Sequence, residues 1–185
     1  IAHRTMKTIQ DKWEEDPAFY KKFSELIKEA IDDYRKQRID EDEYFRRATE
    51  LKERVLRRED EDEPDILEGN DVAKAFYGVT FDVLSSPKYE TGGSVPVKQL
   101  AAVISIAIDD IIRENRIVEW QKRDDVQKRM MSEISDFLLD KEELHLDLDD
   151  VDLILERVMN IARRRYASRP DMRSNTDRRG SRSNS

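Results

Sequence analysis

Apolar residues recur three and four positions apart along most of the chain, and each recurrence ends at a capping residue, a proline or a charged run. Ala2, Met6, Ile9 and Trp13 form one narrow seam and predict a first helix ending near Asp16. Asp16-Pro17 then pairs a cap with a first-turn proline, where the missing proline N–H costs nothing. A second helix follows, with its stripe on Phe19, Phe23, Leu26, Ile27, Ala30, Ile31 and Tyr34. Asp40 with Glu43 makes a capping box for a third, carrying Tyr44, Ala48, Leu51 and Val55. The short connection between the second and third predicts an antiparallel hairpin.

Between Arg58 and Asp65 nearly every residue is charged and the run contains Pro64, so the third helix is expected to fade into a solvated linker there. Asp71 to Leu84 reads as a shorter helix through Val72, Ala73, Phe76 and Tyr77, interrupted in pattern by Gly78 and Val79-Thr80-Phe81. Ser85 to Pro96, with two prolines and Gly92-Gly93, reads as a loop. From Val97 the widest stripe begins, on Leu100, Val103, Ile104, Ala107, Ile108, Ile111 and Ile112, and marks the central helix. Ile117, Val118 and Trp120 break the period as an extended connector. Asp124 is then expected to cap a helix on Val126, Met130, Ile134, Phe137 and Leu138. A last helix, capped near Asp149 or Asp150, carries Val151, Ile154, Leu155, Val158 and Ala162 and ends in Arg163-Arg164-Arg165, cations that suit a helix C-terminus.

The pattern predicts an all-α fold, a bundle of six to seven helices. It divides into N-terminal helices over 1–61, a charged linker over 62–70 and a main bundle over 71–167. Residues 168–185 are Arg, Ser, Asn and Asp with almost nothing apolar, which predicts a disordered tail.

Composition narrows the chemistry. With 41% charged and 37% hydrophobic residues, each helix can bury one stripe and leave the rest in water. Cysteine is absent and there are two histidines, which removes disulfides and thiolate metal sites. No apolar run approaches the roughly 20 residues of a membrane span, and no signal-peptide pattern opens the chain, so the expectation is a cytoplasmic protein with no membrane partner. Ile1 enters a helical pattern directly, as in a fragment whose N-terminal side is missing. The net charge is −8, but five Arg against two Asp leave the last stretch from Ser168 at +3, so the preceding body carries −11. An acidic body disfavours broad coating by nucleic acid, because phosphate neutralisation needs Lys and Arg.

Motifs for catalysis are missing. Gly92-Gly93 lacks the strand, third glycine and lysine of a phosphate cradle. Pro64-Asp65 could begin a Pro-Asp…Asp/Glu-x-Lys nuclease motif, but the nearby Glu50-Leu51-Lys52 precedes it on a helix, and no strands are predicted. Asp147, Asp149, Asp150 and Asp152 lack the glycine and closing glutamate of a calcium loop and read as caps. His3 and His145 have no serine or cysteine partner at catalytic spacing. Met130-Met131 falls on a helical stripe and reads as core or partner-facing. What remains are contact candidates: Lys122 and Arg123 after Trp120, and Arg163, Arg164 and Arg165, which could touch a partner or DNA phosphates.

Several blocks in order resemble one family: Ile1-Ala2-His3-Arg4-Thr5, Asp16-Pro17-Ala18-Phe19-Tyr20-Lys21-Lys22-Phe23-Ser24-Glu25, Ala75-Phe76-Tyr77 and Val118-Glu119-Trp120-Gln121-Lys122-Arg123-Asp124-Asp125-Val126. With Met130 and the Ile134 to Leu138 helix, they resemble the C-terminal helical region of the restriction (R) subunit of type I restriction endonucleases, up to about Leu139. The Asp-Pro-x-Phe-Tyr and Val-Glu-Trp-x-x-Arg blocks are specific together and weak alone. The resemblance implies a parent with a nuclease domain and two motor domains that use ATP and Mg2+, a site-specific deoxyribonuclease and translocase. It implies that this helical end docks the subunit onto the methyltransferase and specificity subunits, and that all catalytic residues lie upstream of Ile1, with no cofactor held in this fragment. One departure stands out: Gly78-Val79-Thr80-Phe81 replaces what is usually a more regular helix. Trp120 is expected to plug the bundle while Arg123, Asp124 and Asp125 start the next helix. Direct DNA binding and a helical adaptor unrelated to restriction are the alternative readings.

Overall fold

The computed structural model describes residues 1–89, 96–141 and 146–167, and among these every regular element is helical. Seven α-helices run α1 Ala2–Lys12, α2 Pro17–Arg35, α3 Glu41–Arg57, α4 Asp71–Leu84, α5 Val97–Asn115, α6 Asp124–Leu139 and α7 Leu148–Ala167. Short 3-10 turns lie at Trp13–Glu15, Asp65–Leu67, Pro87–Tyr89 and Trp120–Lys122. The all-α bundle is therefore as the apolar periods predict. The expected disordered tail lies outside the described residues.

Local signals start the first helices where predicted. Asp16 accepts the Phe19 N–H and places Pro17 at the first position of α2. Asp40 accepts the Glu43 N–H at 2.8 Å, half of the capping box. The Glu43 carboxylate turns to Arg46 and Arg47 instead, and their hydrogen bonds pull it down to about 2. α2 and α3 form the antiparallel hairpin: Tyr34 stacks on Tyr44, Asp33 meets Arg47, and Arg54 lies over Phe23, so partners advance in opposite directions.

Two apolar cores result. One gathers Ala2, Ile9, Phe19, Tyr20, Phe23, Ile27 and Val55 from α1, α2 and α3. The larger is built by α4 to α7 around Phe76, Ile104, Ile108, Met130, Ile134, Ile154 and Val158. Trp120 is buried in this second core, as expected of a plug.

α4 is a regular helix despite its glycine and β-branched residues, because those residues serve packing. A Cβ on Gly78 would lie 2.3 Å from the Cβ of Ala18, so the glycine lets α2 and α4 cross closely. The buried Thr80 hydroxyl is 2.8 Å from Ser105 and 3.1 Å from the Ala101 carbonyl, tying α4 to α5. The departure at Gly78 to Phe81 leaves the helix intact.

Four expectations change. The run from Arg58 to Asp65 is solvated only in part: Arg58 and Pro64 are buried, and the Asp60 and Glu63 side chains are nearly so, because opposite charges there pair in three dimensions. Asp124 is the first residue of α6 and Arg123 precedes it without a side-chain capping bond. Asp147, ahead of Asp149 and Asp150, caps α7 by accepting the Asp150 N–H at 2.9 Å. The connector after α5 is a turn instead of an extended segment; Glu119 takes a left-handed backbone (φ 55°) and leads into the Trp120–Lys122 turn. Of the expected Ser85 to Pro96 loop, residues 85–89 form a turn, and 90–95, including Gly92-Gly93, lie outside the described residues.

Candidate functional site

The contact candidates sit in two places. Lys122 and Arg123 occupy the α5–α6 turn, exposed, each held by a near neighbour: Lys122 pairs with Glu119 at 2.5 Å and Arg123 with Asp125 at 2.8 Å. Arg163, Arg164 and Arg165 line the last turn of α7 but point to different elements. Arg163 donates to the Gln127 side-chain oxygen at 2.9 and 2.7 Å, and Gln127 in turn donates to the Gln121 carbonyl at 2.9 Å. This chain of bonds brings Arg163 to the turn that carries Lys122. Arg164 pairs with Glu14, while Arg165 donates to the Glu15 carbonyl at 2.9 Å and faces Asp16 at 3.5 Å. The predicted arginine cluster is thus split: one member braces α6 and two clasp the turn between α1 and α2. Phosphate contact by Arg164 and Arg165 would require exchanging these partners.

Charge concentrates at the seam between the two cores. Asp16 is fully buried, and its Oδ2 takes Arg58 at 2.6 and 2.7 Å. Arg58 also reaches Glu63 at 2.7 Å and lies 4.1 Å over the Phe19 ring, so one guanidinium joins α2, the end of α3 and the 58–65 segment. Burial pushes the Asp16 carboxyl up; the Arg58 and Arg165 guanidiniums oppose that shift in part. Burial raises Glu63 in the same way against Arg58. Nearby, Lys22 gathers Asp60 and Asp62 at 2.6 Å each. An open groove of about 1500 Å3 follows the seam past Trp13, Ala18, Lys21, Phe81, Arg157 and Arg164. Cations and acids alternate along it, with Arg157 paired to Asp82 at 3.0 Å, so it presents no single sign of charge to a ligand.

A second polar hub lies within the larger core. Asp109, buried on α5, accepts from Asn70, the cap of α4, at 2.9 Å and from the Tyr166 hydroxyl near the end of α7. Burial, then Asp109, raises the Tyr166 phenol far above its ordinary range. This hub escaped the sequence reading, since an aspartate on the helix flank opposite the reading's stripe looks solvated until three elements converge on it.

No group of three or more His, Cys, Asp or Glu is placed to hold a metal ion among the described residues. His3 is exposed on α1, and His145 lies outside the described residues. Among the described residues no helix is long and apolar enough to cross a membrane. The charged features described are ion pairs and hydrogen bonds that fasten elements of the domain to one another.

No curated protein and no solved structure matches the chain. One protein family does, over residues 5–167, described as Type I restriction enzyme HindI endonuclease subunit-like, C-terminal. That span covers all of α2 to α7 and most of α1, including both cores and the seam between them. The chain belongs to this family of C-terminal domains of type I restriction endonuclease subunits.

Proposed function

We propose that this chain is the assembly end of a type I restriction subunit, docking an ATP-dependent DNA translocase and endonuclease onto the methyltransferase and specificity subunits. The match to the C-terminal part of an endonuclease subunit across residues 5–167 carries the reading. The shape of the domain supports it: charges in the seam are spent on holding its two cores together, while large apolar side chains such as Phe45, Leu56, Ile66 and Val103 remain exposed. Nuclease and motor chemistry, with its ATP and Mg2+, belongs in this reading to other parts of the subunit.

Removing residues 97–166 from the full subunit is the direct genetic test. The truncated subunit is expected to lose co-purification with the methyltransferase and specificity subunits while retaining ATP hydrolysis. Undiminished co-purification would remove the assembly role.

A further inference from the structure

The two apolar cores share no residue. Every side chain of the first comes from α1, α2 and α3, and every side chain of the second from Leu67 onward. Because α1 to α3 are contiguous in the chain, a single crossing joins the two units, at the turn where the Glu63 N–H donates to the Asp60 carbonyl. Before this turn, Asp60 is tied to α2 through Lys22. After it, Leu67 is fully buried in the larger core and Asn70 is held by Asp109. The crossing starts at Arg58, whose left-handed backbone ends α3.

Across the seam the units are fastened by polar groups. Arg164 pairs with Glu14, Arg165 donates to the Glu15 carbonyl and faces Asp16, and Arg58 reaches Glu63 at 2.7 Å. α2 and α4 approach closely at Ala18 and Gly78, residues too small to bury much apolar surface. The groove of about 1500 Å3 is lined by both units and already parts them along much of the seam. Four buried side-chain atoms of the same charged network, Arg54 Nε, Arg58 Nη1, Glu63 Oε2 and Arg165 Nη2, have no hydrogen-bond partner in the chain. Buried donors and acceptors without partners favour states in which water reaches them.

We propose that the seam is a hinge closed by an ionic clasp: α1 to α3 swing as one body about the Arg58 to Glu63 crossing, and Arg164 and Arg165 at the end of α7 hold them shut on Glu14, Glu15 and Asp16. Hinges of this kind turn at a few residues that end an element or lie in a loop. Opening leaves both cores whole, since neither lends an apolar side chain to the other, and it is therefore a sub-global motion distinct from unfolding. It changes how surfaces on α1 to α3, including the exposed Phe45 and Leu56, are presented relative to α4 to α7.

Pulsed electron paramagnetic resonance on the whole chain tests the hinge, because the sequence has no cysteine and accepts labels only where one is introduced. One pair of labels, at Lys28→Cys on α2 and Glu156→Cys on α7, spans the seam; a second, at Glu114→Cys on α5 and Glu156→Cys, stays within the larger unit, and all three sites are exposed. The cross-seam pair should show a minor second distance in the parent. Arg165→Met should raise the ratio of that population to the main one by about tenfold, as loss of a charge-assisted hydrogen bond implies. The pair within the larger unit should keep one distance throughout. Arg164→Gln, at a side chain 61% exposed, carries the same test should Arg165→Met lower the helical content. A single cross-seam distance in the parent and both variants overturns the hinge, and a second distance that neither variant raises overturns the clasp. Broadening of both pairs together also overturns the proposal, since it marks loosening of the whole bundle.

Discussion

At Arg58 two unfavourable circumstances coincide. Its backbone is left-handed (φ 56°), a region that favours glycine, and its charged head is buried between Asp16, Glu63 and the Phe19 ring. The left-handed turn ends α3 and sends the chain back across the seam, and the guanidinium keeps the fully buried Asp16 from standing alone. Removing one partner of a buried pair leaves the other charge uncompensated, so Arg58→Met should lower unfolding free energy by about 3–5 kcal/mol. Urea denaturation followed by circular dichroism measures it, with Arg46→Met on the exposed face of α3 as the comparison that should leave the midpoint where it was. Equal midpoints for both variants would show that the Asp16 network contributes nothing to the fold. The sequence shows Arg58 only as one charge in a charged run. Nothing local distinguishes it from Arg57, which is exposed, because the distinction comes from Asp16, 42 residues away.

Among elements, α4 and α5 teach opposite lessons about periodicity. The apolar pattern of α4 is broken by Gly78, yet the helix is continuous, since the glycine is used by the neighbouring helix α2. Intrinsic propensity favours Gly78→Ala by up to about 1 kcal/mol, but the new methyl would meet Ala18 at 2.3 Å, and overpacking costs about 1–3 kcal/mol. The substitution should therefore destabilise, and the double variant with Ala18→Gly should recover part of the loss in a double-mutant cycle. A stabilised Gly78→Ala would mean that α2 and α4 do not cross at this point. In α5 the buried face is rotated around the helix from the stripe read in the sequence. Val103 falls outside the buried face, while Ala101, Ser105 and Asp109 fall inside, because small and polar residues are chosen there for close contact with α4 and for the Asn70 and Tyr166 bonds. Helix existence and most boundaries were thus legible from apolar spacing and caps. Which face of α5 is covered depended on partners that spacing does not encode. The misplaced cap of α7 has the same origin: Asp147, Asp149 and Asp150 are chemically equivalent, and only the backbone geometry selects Asp147.

Over the whole molecule, two apolar cores are fastened by a charged seam, and the family assignment places the chain at the C-terminal part of a type I restriction endonuclease subunit. The blocks that carried the resemblance in the sequence sit at structural junctions. Asp16-Pro17-Ala18-Phe19 contributes the buried acid, the helix start, the α2–α4 crossing and a core ring, and Trp120 plugs the larger core. The contact residues singled out from sequence were less legible. Clustered arginines suggest a patch, but Arg163 and Arg165 are used to hold neighbouring elements. The proposed assembly role of this domain is tested most directly by sedimentation velocity of the isolated chain mixed with the methyltransferase–specificity complex. The chain should move with the complex in one faster boundary that dissolves as salt is raised. Two boundaries that sediment independently at low salt would contradict it.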